Sequence, residues 1–196
     1  MRRCLVFAAL LAAFGGVQPL DAQAPRPSRP GGMFLGAGAG GGWTRAACSY
    51  CRRDYSFGPV VFARIGGRLG PRSLLGAELS GWTRNDGEED VRLLTGSLMA
   101  VGWLYPNPDG PFYLKGGLGA ITFRVFGDGD DDDLSSLGPA LQLGAGYEFR
   151  LSDRVLLTNY ANLQASRFGK LRSGETVVVD NLGVTALQFG IGITRF

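Results

Sequence analysis

Residues 141–149 read Leu-Gln-Leu-Gly-Ala-Gly-Tyr-Glu-Phe, an unbroken alternation of apolar side chains with small or polar ones. Successive side chains of a β-strand point to opposite faces of the sheet, so this alternation separates two surfaces of different chemistry. Leu141, Leu143 and Phe149 share the apolar face, whereas Gln142 and Glu148 share the other. The stretch therefore predicts a strand that is apolar on one side only.

The same alternation recurs on both sides of this stretch, throughout the chain after residue 31. Eight segments carry it: Gly32–Thr44, Phe57–Gly70, Ser73–Thr83, Val91–Tyr105, Pro111–Phe126, Leu137–Arg150, Arg154–Phe168 and Val178–Phe196. Most are longer than typical strands of globular proteins and suit tilted strands that cross a membrane. Alternation alone fits both a one-sided soluble sheet and a membrane barrel, so the connections between segments decide.

The connections alternate in length along the chain. Short turns occur at Gly70–Arg72, Pro106–Gly110 and Ser152–Asp153, and longer charged links occur at Arg45–Ser56, Arg84–Asp90, Gly127–Ser136 and Gly169–Val177. With the first segment starting in the periplasm, every short turn falls on the periplasmic side and every long link falls outside, as in outer-membrane barrels. The predicted fold class is all-β, an antiparallel up-and-down transmembrane β-barrel of eight strands.

Aromatic residues lie mainly near the segment ends, as expected for rings at a membrane boundary. Those near the predicted outer rim are Trp43, Phe57, Phe126 and Phe168, and those near the predicted periplasmic rim are Trp103, Tyr105, Phe112, Tyr147, Phe149 and Phe196. The pattern predicts two aromatic girdles.

The first residues have the three parts of a secretory signal. Arg2-Arg3 precede an apolar run from Leu5 to Phe14, and Ala22-Gln-Ala24 follow as a small-residue cleavage site. We expect a signal peptide over residues 1–24, a proline-rich leader over 25–31 and an outer-membrane barrel over 32–196. The expected location is the cell outer membrane, after export through the inner membrane.

Composition excludes several other classes of protein. Hydrophobic residues make up 45% of the chain, which argues against disorder despite its 32 glycines. Lys and Arg number 20 against 17 Asp and Glu, and loss of Arg2, Arg3 and Asp21 with the leader leaves 18 against 16. This balance argues against a nucleic-acid partner. No later segment offers the roughly 20 apolar residues of a membrane helix, so any membrane crossing must use strands.

On this pattern, the whole mature region resembles the small eight-stranded outer-membrane barrels, the group of OmpX and the transmembrane domain of OmpA. The most specific element is the end, Phe189-Gly-Ile-Gly-Ile-Thr-Arg-Phe196, which resembles their C-terminal assembly signal. The resemblance implies a monomer without cofactor. It also implies outer-membrane lipids, lipopolysaccharide and, through the last strand, the barrel-assembly machinery as partners.

The final phenylalanine departs from the pattern of that group. Its members keep the last aromatic in phase with the outward residues, whereas here Phe189, Ile191 and Ile193 share a phase that Phe196 does not. A β-bulge near Thr194 or Arg195 would bring Phe196 back into phase, because a bulge inserts one extra residue into a strand.

Charges of both signs fall on the predicted inner face. Arg64 and Glu78 lie at matching distances on either side of Pro71, and Lys115 and Glu148 flank the Gly127–Ser136 link almost equally. Each pair is therefore expected to be cross-strand neighbours in the lumen. We favour a buried salt-bridge network that plugs the lumen, because buried charges need partners and an eight-stranded barrel is narrow. The alternative interpretation is a gated ion path.

The sequence offers little for catalysis. It contains no histidine, the commonest general base. This chain resembles outer-membrane acyltransferases, deacylases and phospholipases in architecture. The resemblance implies that activity would depend on a histidine, and this chain has none. We therefore expect no enzyme activity.

Cys48-Ser-Tyr-Cys51 falls in the first outer link, and these are the only cysteines left after removal of the signal peptide. We expect a local disulfide between Cys48 and Cys51 that stiffens the link. A redox site is the weaker interpretation, because the strand-to-helix context of thioredoxin-like motifs is absent.

An acidic run in a later outer link, Asp128-Gly-Asp-Asp-Asp-Asp133, offers hard oxygen ligands for a divalent cation. Asp128, Asp130 and Asp132 are the candidate ligands. The run lacks the glycine and glutamate spacing of an EF-hand, so a solvated loop tip is the better interpretation and no bound metal is expected.

The sequence thus predicts an outer-membrane barrel with a structural or surface-interaction role and a plugged lumen. Two alternatives stay open: a narrow channel for ions or small solutes, and a soluble periplasmic lipocalin-like barrel for a small apolar ligand. The second requires an apolar interior, against the charged residues assigned there.

Overall fold

The structure, a computed structural model, describes residues 32–47, 55–86, 91–126, 134–167, 170–173, 176–180 and 183–196. Its strands are β1 Met33–Ala47, β2 Ser56–Gly70, β3 Ser73–Asp86, β4 Val91–Leu104, β5 Phe112–Phe126, β6 Leu134–Arg150, β7 Val155–Arg167, β8 Lys170–Ser173, β9 Thr176–Asp180 and β10 Gly183–Arg195. Within these ranges there is no helix long and apolar enough to cross a membrane.

Eight of the strands close into a barrel. The order β5-β4-β3-β2-β1-β10-β7-β6 is completed by pairing of β5 with β6, and every neighbouring pair is antiparallel. The predicted antiparallel up-and-down barrel of eight strands is confirmed. We call the end with the turns at 71–72, 105–111 and 151–154 the turn end, and the opposite end, where the long links attach, the link end.

The strands are staggered around the barrel. From Gly38, register partners followed through β2, β3, β4 and β5 arrive at Gly138, whereas partners followed through β10 and β7 arrive at Glu148. These two positions are ten residues apart on β6, and this offset tilts the strands relative to the barrel axis. Residues far apart in register are therefore brought together across the lumen.

The last predicted segment, Val178–Phe196, is divided in the structure. Val178 belongs to β9, which forms a short hairpin with β8, and the barrel strand β10 begins at Gly183. The hairpin adjoins the wall through pairing of Ser135 with Arg172. Apolar β-forming residues occur on both sides of Asp180, so periodicity alone does not separate the hairpin from the barrel strand.

The outward face is apolar around the whole barrel. Large exposed side chains occur on each of the eight barrel strands, among them Leu35, Ile65, Leu79, Leu98, Leu118, Leu141, Leu163 and Ile191. The inward side chains are mixed: charged and polar residues such as Glu78 and Lys115 lie among aromatic and aliphatic ones such as Met99, Val101 and Ile121, and most are buried. This is the reverse of a soluble barrel, whose apolar face is turned away from water.

Glycines on β1 make room for large inward side chains of the neighbouring strand. Gly36, Gly38, Gly40 and Gly42 all fall in the inward phase. A Cβ at Gly36 would lie 2.9 Å from Arg64 Nε, and one at Gly38 would lie 2.5 Å from the Phe62 ring. The glycine run of β1 thus permits Arg64 and Phe62 to fill the lumen.

The bulge near Thr194 or Arg195 that would bring Phe196 into the outward phase is absent from β10. β10 pairs in continuous register with β1 up to Arg195 and with β7 from Gly183 to Arg195. Phe196 keeps the inward phase of Thr194, and its ring lies 5.6 Å from that of Phe34 between centroids. Phe196 therefore packs against an aromatic neighbour in the lumen and does not join the outward-facing residues of β10.

The expected girdles are only partly correct. Phe112, Tyr147 and Phe149 are exposed on the outer face near the turn end, and Trp43, Phe57 and Phe189 contact one another on the outer face nearer the link end. Trp103 and Tyr105 are buried in the lumen instead, each with 2% of its surface exposed. Their phase along the strand, and not their nearness to its end, determines the side on which they lie.

Candidate functional site

An aromatic layer fills the lumen at the turn end. Its members are Phe34, Leu74, Trp103, Tyr105, Tyr113 and Phe196. The rings of Phe34 and Trp103 pack edge to face with centroids 5.3 Å apart, and Tyr105 and Tyr113 lie 5.7 Å apart. Such contacts add to the free energy of apolar burial.

A lysine and a glutamate meet in the middle of the lumen. Lys115 Nζ on β5 lies 2.7 and 2.6 Å from the two carboxylate oxygens of Glu78 on β3. Both residues are buried, with 5% and 2% of their surface exposed. Gln142 Nε2 also donates to Glu78 Oε1 at 2.7 Å. Glu78 thus has two donors, which compensate the cost of removing its charge from water.

This pair is continued by a chain of amides and hydroxyls. Gln164 Nε2 donates to Gln142 Oε1 at 3.1 Å and lies within 3.3 Å of Ser97 Oγ. Gln188 Nε2 donates to Gln164 Oε1 at 3.4 Å, and the hydroxyls of Ser80 and Ser97 are 2.6 Å apart. We call this set, together with Lys115 and Glu78, the lysine network. It connects β3, β4, β5, β6, β7 and β10 across the lumen.

A second cluster, the arginine network, is built around Arg64 of β2. Its Nη2 donates to Thr158 Oγ1 at 2.9 Å and to Thr194 Oγ1. The same nitrogen lies 3.9 Å from Glu148 Oε1, which accepts a hydrogen bond from Tyr105 OH at 3.2 Å. Arg64 therefore connects β2 to β6, β7 and β10 just beyond the aromatic layer.

All four charged residues predicted to face the lumen do so, but each contacts a different partner from the one expected. Arg64 and Glu78 are register partners on β2 and β3, yet Glu78 contacts Lys115 and Arg64 contacts Glu148. Lys115 and Glu148 are not cross-strand neighbours, because the register partner of Lys115 is Gly144. β6 begins at Leu134, before the predicted start at Leu137, and Lys115 is therefore paired four residues away from Glu148.

Nearer the link end a tryptophan crosses the inside of the wall. Trp82 of β3 is 2% exposed and donates from Nε1 to the carbonyl of Gly42 on β1 at 3.0 Å. Its ring passes over Gly58 of β2, where an added Cβ would lie 2.9 Å from Nε1. Trp82 thus joins β3 to β1 across the inner surface of β2.

Several buried polar atoms of the lumen have no hydrogen-bond partner among the described residues. They include Trp103 Nε1, Tyr113 OH, Tyr160 OH and Asn162 Oδ1. Each of these atoms leaves a polar group in the lumen whose removal from water is not compensated by a described residue.

Some of the expected sites lie outside the described residues. These are the cysteines Cys48 and Cys51 and the acidic candidates Asp128, Asp130 and Asp132. In the part of the chain that the structure describes, no group of three His, Cys, Asp or Glu side chains could hold a metal ion.

Sequence reasoning missed a set of arginines at the link end. Arg45, Arg92, Arg124 and Arg167 stand in the outward phase of β1, β4, β5 and β7, just beyond the apolar surface. Arg45 also lies over the ring of Tyr55, with Cζ 5.4 Å from its centroid. The alternation used for the leucines also predicts that these arginines lie on the outer face, so the sequence contains the signal that would identify them.

No protein-family model matches the chain, and no curated protein matches it in sequence. Solved structures do match it in fold. The Neisserial surface protein A is 17% identical with a TM-score of 0.55, and the match covers 83% of this chain and 96% of that one. Ail, the attachment invasion locus protein of Yersinia pestis, is 15% identical with a TM-score of 0.56, covering 82% and 97%. The chain thus has the fold of the small eight-stranded outer-membrane barrels.

Proposed function

We propose that the chain is an integral outer-membrane protein with a structural or surface-interaction role and a plugged lumen. The observation that carries the proposal is the distribution of side chains about the wall. Large apolar residues such as Leu118, Leu143 and Ile191 are exposed by 64%, 66% and 58%, whereas Arg64, Glu78 and Lys115 are buried inside. Only a lipid environment makes such an outward surface favourable.

The arginines of the link end support this placement. Arg92, Arg124 and Arg167 are exposed and stand beyond the apolar surface on three different strands. Guanidinium groups form strong paired hydrogen bonds with phosphate. Lipopolysaccharide, whose phosphates lie at the outer membrane surface, is the proposed partner of these arginines.

The packed interior supports a plugged lumen. The aromatic layer closes the turn end, and both buried carboxylates are matched by a buried cation within 4.0 Å: Glu78 with Lys115 at 2.6 Å and Glu148 with Arg64 at 3.9 Å. An ion would have to break these contacts to pass. Separating a buried pair leaves an uncompensated charge, which is strongly unfavourable.

A narrow channel is the competing function. It is favoured by buried polar atoms of the lumen that have no hydrogen-bond partner among the described residues, such as Tyr160 OH and Asn162 Oδ1. A soluble barrel for an apolar ligand receives less support, because its lumen would have to be apolar and its outer face polar. The proposal includes no catalytic step.

The proposed role of the exposed loops follows from where they must lie. In a membrane barrel with a periplasmic N-terminus, the four long charged links face outward, and such loops carry recognition. Ail, which shares the fold, is named for attachment and invasion. Insertion would use the C-terminal strand with Phe189, Ile191, Ile193 and Phe196 as the signal for the barrel-assembly machinery, after export by residues 1–24.

Fractionation of cells that express the full chain tests the proposal. We expect the mature protein in the outer-membrane fraction, released only by detergent. On a gel it should migrate differently before and after heating, because a closed barrel resists the detergent until it is heated. Release into the periplasm without detergent would contradict the proposal and favour the soluble barrel.

A further inference from the structure

A groove runs along the outer face of the barrel where β7, β10 and β1 meet. Its floor is the exposed Ala37 and the backbone of Gly36, Gly38 and Gly192, and its walls are Leu35, Leu157, Ile191 and Ile193. The groove is open to the outside and has a volume of about 550 Å³. The groove forms because the small Ala37 is the cross-strand partner of the much larger Ile193. On the same face of β1, Ala37 also neighbours the larger Leu35, two residues away.

One charged residue, Arg195, lines the groove, at the turn end. The same Arg195 lines a second depression with Ser152, Asp153, Arg154 and Val155, at the turn between β6 and β7. The amide of Phe196 donates to the carbonyl of Arg154 at 2.9 Å, which holds the end of β10 against this turn. An apolar groove and a charged depression thus share one arginine.

We infer that this surface binds one phospholipid whose headgroup carries a primary ammonium beside its phosphate, of the phosphatidylethanolamine type. An acyl chain occupies the groove over Ala37, the phosphate contacts Arg195 and Arg154, and the ammonium contacts Asp153. The inference rests on the proposed membrane location, in which the turn end faces the periplasmic leaflet.

Charge complementarity selects this occupant. The depression combines two guanidinium groups with one carboxylate, which matches a phosphate next to an ammonium better than a headgroup with anionic charge alone. The groove offers only apolar side chains and backbone above Arg195, which suits a hydrocarbon chain and no polar peptide.

Native mass spectrometry of the folded barrel in detergent tests the inference. The protein is titrated with phosphatidylethanolamine and, separately, with diacylglycerol of the same chains. We expect phosphatidylethanolamine to bind more tightly, and Arg195→Gln to weaken it about tenfold, as expected for loss of a charge-assisted hydrogen bond. Ala37→Leu, which fills the groove, should weaken both lipids.

Matched controls are available on the same barrel. Ala100 is exposed on β4, opposite β10 in the barrel order, and Arg72 lies in the turn between β2 and β3. Ala100→Leu and Arg72→Gln should leave lipid binding unchanged. Equal binding of the two lipids, or equal effects of Arg195→Gln and Arg72→Gln, would overturn the inference.

The gel shift on heating confirms that each variant is folded before binding is measured. Because the titration uses folded protein in detergent, its result does not depend on cellular location. Failure of the lipid site is therefore distinguishable from failure of the proposed function, which fractionation tests separately.

Discussion

Lys115 Nζ on β5 lies 2.6 Å from Glu78 Oε2 on β3, although β4 separates the two strands in the barrel wall. The pair therefore spans the inner surface of β4 and is not a contact between neighbouring strands. With the amide of Gln142 donating to the same carboxylate, it ties three strands together in the middle of the lumen. The stability of the barrel should depend on keeping both charges or removing both.

Breaking this pair on one side should be costly. We expect Lys115→Met to lower the free energy of unfolding by about 3–5 kcal/mol, because it leaves a buried carboxylate without its cation. The double variant Lys115→Met with Glu78→Gln should lose clearly less than the sum of the single variants. Urea unfolding in lipid vesicles gives the three values.

A control for these measurements is Arg92→Met, which removes an exposed charge at the link end. It should change the free energy of unfolding by no more than about 0.5 kcal/mol. Additive losses in the double variant would show that Lys115 and Glu78 do not depend on each other.

The arginine network permits a test of the plug. In planar lipid bilayers the wild-type barrel should show no steady ion conductance, because the aromatic layer and both ion pairs occupy the lumen. Arg64→Ala should leave the bilayer equally silent, since Trp103 and Tyr105 still fill the turn end. Open-channel currents in the wild type that change with Arg64→Ala would favour the channel.

Adding a methyl group at Gly36 should destabilise the barrel. Its Cβ would lie 2.9 Å from both Arg64 Nε and Thr194 Oγ1, so those side chains must move. We expect Gly36→Ala to cost about 1–3 kcal/mol by overpacking.

The matched change is Gly81→Ala, where the added Cβ would meet only Val61 Cγ2 at 3.7 Å. It should be neutral or stabilise the barrel by about 0.4–1 kcal/mol, since alanine restricts the unfolded chain. Both values come from the same vesicle unfolding assay. Equal effects at the two positions would argue that β1 does not need its inward glycines.

The inward placement of the last residue also has a measurable consequence. Phe34→Ala and Phe196→Ala should be coupled in a double-mutant cycle, by about 0.5–1.5 kcal/mol beyond lost burial, because the two rings are in contact. Phe112→Ala, on the outer face of β5, should show no coupling to Phe196→Ala. A coupling energy near zero for Phe34 and Phe196 would place the final ring outside the lumen.

Much of this fold could be predicted because alternation is a local property of the chain. The alternation at Leu141 and Gln142 alone indicates that the leucine faces outward and the glutamine faces the lumen. The same reasoning correctly predicts that Arg64, Glu78, Lys115 and Glu148 lie inside. The neighbour relation of Arg64 and Glu78 was also predictable, because a tight turn at Pro71 and Arg72 sets their register.

The ion pairs themselves could not be predicted, because they depend on non-local geometry. A stagger of ten residues on closing the barrel brings Lys115 beside Glu78 and Arg64 beside Glu148. Apolar alternation does not mark Leu134 as the start of β6, so the expected contact of Lys115 with Glu148 was wrong. The side on which Phe196 lies also depends on the register, because a continuous strand keeps it inward and a bulge would turn it outward.

The central claim is that the apolar outer face meets lipid while the lumen excludes it, and the three tryptophans report on this directly. Trp43 is exposed on the outer face by 39%, whereas Trp82 and Trp103 are each 2% exposed inside. In vesicles of lipids brominated on their acyl chains, wild-type fluorescence should be quenched, and Trp43→Phe should remove most of the quenchable part while the inner tryptophans still emit. Equal fractional quenching of the wild type and Trp43→Phe, with both folded by the gel shift on heating, would contradict the claim.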